Sequence, residues 1–446
     1  MMPPRRRNVA ATLPRHRVVL SLLGGLEICG VVASLFVLTN GILPFLFQRG
    51  SDVDRSDSPV MIVSIIYWCF YAFTAAQVVL HPRDFVRGAS KVPFPVAIVL
   101  LALLSASWSI DPSETIRRTF ALGMATLFGI YLAFRFSPQN LLRLIAGVLG
   151  ASAVLSAAIA LLLPSVGIGQ GVFEGNWQGI FRHKNSLGEM MLLTAVIFRS
   201  VPGRSLGSRL IGWAGVALAV ALVFLSRSIT ALVVLAAVGA TMPLLRRFRH
   251  AQLRSALMLI AICLLCTTVL ITIVDSEVAL TMTGKDVTLT GRTAVWSAVI
   301  NRIADRPLLG YGYGAFWLPT GGPGEGVRRE VQWLTPHSHN GFLDFGADLG
   351  LVGVLMLIGA LAHAGYRVWK RWHPELGTSE DWFLAFLLVI LLMDITESLI
   401  YEQNNFAWVL LVTVAAVNAG SVAIARSSAK RRASVPRVIA QSAGTA

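Results

Sequence analysis

The chain has 446 residues, of which 55% are hydrophobic and only 14% charged, with a net charge of +15. A water-soluble protein carries roughly 25% charged residues, so this composition excludes an ordinary soluble enzyme. The apolar residues come in blocks of about 18–25, the length that lets a helix cross a bilayer. An all-α, polytopic membrane protein is the fold class these numbers predict.

Taken in chain order, the apolar blocks fall near 22–46, 59–80, 92–109, 116–134, 141–163, 186–201, 207–225, 228–245, 255–274, 341–365, 382–400 and 406–425. This predicts about twelve spans, the block at 186–201 being the shortest. The chain then divides into a basic tail (1–17), spans one to nine (18–274), a long loop with short helices (275–340), spans ten to twelve (341–426) and a second basic tail (427–446). No internal repeat supports an inverted-repeat transporter. The first apolar run lacks a small-residue cleavage site and reads as an uncleaved anchor. All four cysteines, Cys29, Cys69, Cys263 and Cys266, lie within spans. There they read as packing residues, even though Cys263 and Cys266 have CxxC spacing.

Charge placement sets the orientation. The basic clusters "PPRRRN", "HPRDFVRGASK", "RSVPGRSLGSR", "RRFRHAQLR", "RVWKRW" and "ARSSAKRRASVPR" all fall on the side of the two termini. Most of the alternate loops, 275–340 among them, are acidic, neutral or sparsely basic. The positive-inside rule therefore predicts cytoplasmic termini and a periplasmic long loop. Topology explains the basic loops without nucleic acid, and the tails are expected near anionic lipid headgroups.

The polar residues that stand out gather on the outer side. In "GIFRHKNSLGEMM", Arg182, His183 and Lys184 precede a span that Asn185 can cap. Positive charge there runs against the positive-inside trend and adds to the helix dipole, which favours a bound anion such as phosphate. Arg227 sits in the tight "SRS" turn, where its planar fork suits a phosphate. "LTGRTAVWSAVINRIAD" predicts a helix to about Asp305, capped by Thr290 or Thr293. Its apolar face is Val295, Trp296, Val299, Ile300 and Ile303, and Arg292 leads it. "LLGYGYGAFW" reads as a packed interfacial loop, not a dinucleotide loop.

"HSHNGFLDFGADLGLVG" begins the tenth span. His337, Asn340, Asp344 and Asp348 are spaced to share a helical face, with His339 just before it. The two acids are expected to face the bundle and to hold a histidine or pair with an arginine. The bland alternative is an Asn340 or Ser338 cap with acids favouring the helix N-terminus. The two histidines have no strong metal-ligand spacing, so no metal or other cofactor is expected. Glu397 and Glu402 in "DITESLIYEQNN" lie on the same side and are expected to balance the arginines.

Arginines can neutralise a diphosphate leaving group, and a neutral histidine can accept a hydroxyl proton. This suits glycosyl transfer from a lipid-diphosphate sugar. The motifs "FRHKNSLGEMM", "SRS", "TGRTAVW", "RPLLGYGYGAF" and "HSHNGFLDFGADLGLVG" resemble the O-antigen ligase and polysaccharide polymerase superfamily, within it the exopolysaccharide polymerase branch, over residues 90–420. The resemblance implies a metal-independent, inverting transferase of the bacterial inner membrane that uses an undecaprenyl-diphosphate-linked oligosaccharide. It carries over Arg227 and Arg292 as diphosphate binders, His339 in "HN" as the base, and Arg182 and Lys184 of the "HKN" entry as phosphate or glycan contacts. Asp348 stands where the family often has glutamate. Helical phase instead favours His337, in line with Asp344 and Asp348, so the identity of the base stays open between the two histidines.

The partners so implied are the lipid-linked donor, a growing glycan acceptor, the bilayer, and chain-length-regulating and export proteins. Three functions compete: a polymerase of exopolysaccharide repeat units, a ligase moving glycan onto lipid A core, and a transporter of lipid-linked sugar. A transporter requires charge at mid-membrane depth on both faces of a cavity, whereas these charges cluster at one face. A reporter enzyme active only after export is expected to be active when fused within 275–340 and silent when fused after Ala446. The reverse pattern overturns the orientation.

Overall fold

The computed structural model describes residues 14–41, 57–201, 203, 205–247, 291–371, 378–400 and 403–417. Among these the chain is helical and has no strand; a lone antiparallel bridge joins Ile168 and Trp177. The helices of eight residues or more are α1 (Pro14–Leu38), α2 (Asp57–Leu80), α3 (Pro82–Ala89), α4 (Pro93–Leu104), α5 (Pro112–Arg135), α6 (Pro138–Leu162), α7 (Lys184–Ser200) and α8 (Leu206–Ser226). They continue with α9 (Ile229–Arg247), α10 (Gly291–Asp305), α11 (Pro323–Val331), α12 (Gly341–Arg371), α13 (Thr378–Met393) and α14 (Phe406–Ala416).

Local sequence fixes many of the helix starts. Proline opens α3, α4, α5, α6 and α11, where its missing N–H costs nothing. Asp111 accepts from the Glu114 N–H at the start of α5, Ser205 forms a capping box with Ser208, and Asn405 accepts from the Trp408 N–H. Four described helices are long and apolar enough to cross a bilayer: Met61–Leu80, Pro138–Leu162, Leu206–Ser226 and Gly341–Lys370. Pro82–Ala89 and Pro93–Ser107, bent by 96° at their junction, make a fifth if taken as one broken span. The chain is thus a multi-pass, all-α membrane protein, but four or five described helices meet the criterion against the twelve expected. The expected span 255–274 lies outside the described residues, and the one at 382–400 is helical only to Met393.

Two helices organise the packing. α7 packs against α6, α8, α9 and α13, and α5 against α2, α3, α4 and α14, while α12 touches α4, α10, α13 and α14. Every residue of α14 is buried, as expected of a helix that is apolar on all sides and sits within a bundle. Its contact with α5 is close and hydrogen-bonded. Trp408 Nε1 donates to Thr126 Oγ1 at 2.9 Å and Thr413 Oγ1 to the Gly129 carbonyl at 3.0 Å.

The expected continuous span at 341–365 is broken. Gly350 has φ +64° and ψ −164°, outside the helical region. The chain segment 307–316 fills the break. Leu351 and Val352 N–H donate to the Pro307 and Leu308 carbonyls, and Tyr311 and Gly312 N–H to the Ala347 and Asp348 carbonyls. A Cβ on Gly350 would lie 2.3 Å from the Leu308 carbonyl carbon, so only glycine fits. Tyr311, Tyr313, Phe316 and Trp317 are buried, and "LLGYGYGAFW" is therefore the packed loop its composition predicts.

A side chain at Gly129 would meet the Val409 carbonyl at 2.8 Å, whereas the same position at Gly147 is open. Gly129→Val is expected to cost about 1–3 kcal/mol through overpacking, read as a lower Tm in detergent. Gly147→Ala is expected to leave the Tm unchanged or slightly raised.

Candidate active site

The site is assembled from five segments: the start of α7, the "SRS" turn between α8 and α9, the start of α10, the loop before α12, and residues 394–400 after α13. At its centre lies Glu397, a buried carboxylate. Oε1 accepts from Arg292 at 2.6 Å and from Asn185 Nδ2 at 2.8 Å, and Oε2 lies 3.0 Å from His339 Nδ1. Burial pushes the Glu397 carboxyl up, but Arg292 and His339 outweigh it and hold it below the usual carboxylate range.

Arg292 is placed as expected, in the first turn of α10, but not as an open anion site. It is 6% exposed, and besides Glu397 it donates to the Thr396 carbonyl at 2.6 Å. Removing either member of such a buried pair strands the other charge.

His339 is held from several directions. Its ring stacks on Trp333 with centroids 5.2 Å apart and planes 9° from parallel, and the His337 ring lies 4.3 Å away. Its backbone is left-handed, φ +55°, and its N–H donates to His337 Nδ1 at 3.2 Å. Trp333 was not among the sequence candidates, because an interfacial tryptophan is unremarkable in a membrane loop.

His337 and Asn340 are not on the helix with Asp344 and Asp348, since α12 begins only at Gly341. Asn340 is a cap. Its Oδ1 accepts from the Phe342 and Leu343 N–H groups and its Nδ2 donates to the Ile395 carbonyl. Asp344 and Asp348 do face the bundle, and Asp344 is held by partners other than histidine or arginine. Asp344 accepts from Ser338 N–H, Trp317 Nε1 and Ser398 Oγ. Asp348 accepts from the Gly314 and Phe316 N–H groups at 2.5 and 3.3 Å. Both acids fix the loops around the site through the Gly314, Phe316 and Ser338 N–H groups and the Trp317 indole.

His183, not Asn185, caps α7, its Nδ1 accepting from the Asn185 N–H at 3.2 Å. This frees the Asn185 side chain for Glu397. Lys184 Nζ reaches the Arg227 carbonyl at 3.5 Å and lies over the Phe173 ring. Arg227 caps α8 in the left-handed conformation, φ +50°, with an exposed side chain between buried Ser226 and Ser228. Arg182 is exposed. Glu402 and Thr290 lie outside the described residues. Among the described residues, no group of three or more His, Cys, Asp or Glu side chains is arranged as metal ligands.

This is a polar cluster set among apolar helices, with a buried ion pair, histidines and the exposed cations Arg182 and Arg227 on adjoining segments. Residues 213–358 match the O-antigen ligase family, a stretch that holds Arg227, Arg292 and His339 but neither Arg182–Asn185 nor Glu397. The chain is also 32% identical over 130 residues to the exopolysaccharide production protein ExoQ of Rhizobium meliloti (strain 1021). That alignment takes in 28% of this chain and spans only 30% of the relative. Both matches cover part of the chain and agree with the resemblance carried by the motifs.

Burial lowers His337 to about 3 and His183 to about 4, from an ordinary 6.5. Between those values and 6.5 the unfolded chain binds protons that the folded chain refuses, so folding is favoured as pH rises. Stability is therefore expected to be full above pH 6.5 and to fall as pH drops from there toward 4. Thermal unfolding across this range checks it, and His337→Gln should flatten the slope.

Proposed function

We propose that this protein is a membrane-embedded glycosyltransferase that polymerises an exopolysaccharide from undecaprenyl-diphosphate-linked repeat units at the periplasmic face. One observation carries the reading. Successive residues of the first turn of α7 join the two halves of the site, Lys184 reaching the Arg227 turn and Asn185 reaching the Glu397 carboxylate that contacts His339. In this reading the cations Arg182, Lys184 and Arg227 meet the diphosphate and His339 the attacking hydroxyl, the pair of roles such a transfer requires.

In the proposed reaction the acceptor hydroxyl attacks the anomeric carbon of the donor sugar. A new C–O bond forms as the bond to the diphosphate breaks. The undecaprenyl diphosphate leaves with the electron pair, its charge met by Arg227, Arg182 and Lys184, and the hydroxyl proton passes to His339. A single displacement inverts the anomeric centre. The reaction needs no metal, since the cations supply the charge. Glu397 neutralises Arg292, so in this reading Arg292 is not among the cations that meet the leaving group. The growing glycan is the acceptor, and chain-length-regulating and export proteins are the natural partners.

The similarity to an exopolysaccharide production protein favours polymerisation. The family description, O-antigen ligase, favours the second reading, in which a finished glycan moves onto lipid A core. Purified protein given a defined lipid-diphosphate repeat without divalent cations is expected to yield a ladder of products. A single addition to lipid A core and no ladder would establish the ligase. Arg227 occupies a conformation that costs most residues about 1 kcal/mol relative to glycine. Arg227→Gly is therefore expected to keep or raise the Tm while abolishing the ladder; a full ladder would remove Arg227 from the site.

A further inference from the structure

We propose that Glu397 is a positioning residue that fixes which nitrogen of His339 acts as the base, with Arg292 in turn fixing Glu397. This rests on the reading of His339 as the proton acceptor. A carboxylate accepts and cannot donate, so the contact between Oε2 and Nδ1 at 3.0 Å places the imidazole proton on Nδ1. The lone pair is then on Nε2, the nitrogen turned away from Glu397. A proton taken from a hydroxyl goes to Nε2, the imidazolium so formed is stabilised by the adjacent carboxylate, and Nδ1–H stays where it was.

The neighbouring histidines lack this arrangement. His337 Nδ1 accepts from the His339 N–H and His183 Nδ1 from the Asn185 N–H. Each therefore presents its lone pair to its own backbone. The same rule that makes His339 available as a base makes these two unavailable.

The geometry leaves Glu397 little freedom. Arg292 and Asn185 hold Oε1, and the pair is buried, with side chains 7% and 4% exposed for Arg292 and Glu397. Trp333 fixes the His339 ring plane from one face, and the bond to Glu397 fixes rotation within that plane. The role of Arg292 changes accordingly. Both of its terminal nitrogens are engaged by the 396–397 segment, so it orients the carboxylate rather than gripping phosphate. The charged and titratable groups facing His339 are then Glu397, Arg292 from α10, His337 from its own loop and His183 from the start of α7.

The test uses the full chain in lipid nanodiscs with the lipid-diphosphate repeat as substrate. Histidine labelled with 15N reports the tautomer directly, the His339 signals being assigned with His339→Gln. In the unmodified protein the expected state is protonated Nδ1 with unprotonated Nε2; the opposite tautomer overturns the proposal without any activity measurement. Glu397→Gln removes the charge but keeps an acceptor. It is expected to lower kcat about 10- to 100-fold with little change in the KM for donor, and to move the acid limb of the pH–rate profile to lower pH. An unchanged limb together with a raised KM overturns it, since that is the signature of a donor-binding scaffold. The two readings fail separately. Full activity in His339→Gln removes the base assignment itself. An inactive His339→Gln beside a Glu397→Gln variant with unaltered rate and profile removes only the positioning role.

Discussion

The structure around the site depends on one buried carboxylate. Glu397 receives Arg292 and Asn185 on one oxygen and meets His339 on the other, which ties α10, α7 and the loop before α12 to the connection after α13. A buried ion pair adds little net stability over an apolar contact, yet losing one partner leaves a stranded charge. The pair therefore acts as a constraint on geometry more than as a source of stability. The segments that meet at Glu397 have to fold into register with one another, and the histidine inherits that register.

A second constraint comes from the break in α12. Backbone groups freed at Gly350 are satisfied by residues 307–312, and the Asp348 carboxylate gathers the Gly314 and Phe316 N–H groups of the same loop. Buried backbone groups need partners, so the loop and the helix are stable only together. The aromatic residues that follow then pack beneath the site, with Trp317 bonded to Asp344, which also holds Ser338 two residues before the end of the "HSHN" run. The acids of this helix serve the scaffold that holds His339, Asp344 through Ser338 and Trp317 and Asp348 through Gly314 and Phe316.

Two of the proposed reacting groups, Arg227 and His339, sit in left-handed backbone conformations. Glycine would adopt these more readily, and residues with larger side chains are held there only when their surroundings demand it. Arg227 ends α8 and projects from a turn whose two serines are buried; His339 is drawn back on itself by its bond to His337. Strain of this kind in both the exposed cation and the histidine is consistent with positions chosen for what the side chain does.

The amino-acid order alone determined the membrane-embedded helical class, the approximate places of most helices, the packed glycine-aromatic loop, and the choice of Arg227, Arg292 and His339 for attention. These follow from apolar run length, charge asymmetry and short motifs, all of which are local. It did not determine partners. Arg292 reads as a free cation at a helix start, and only the packing of α10 against a segment 105 residues away makes it one half of a buried pair. Glu397 reads as a balancing charge in an interrupted apolar run, and only the tertiary structure makes it the hub. Helical phase put His337 in line with the two aspartates, but the helix begins four residues later, so that alignment never forms. Periodicity reports which side of an element a residue occupies. The identity of what lies opposite is set by how the elements pack, and that decided the chemistry of the two histidines.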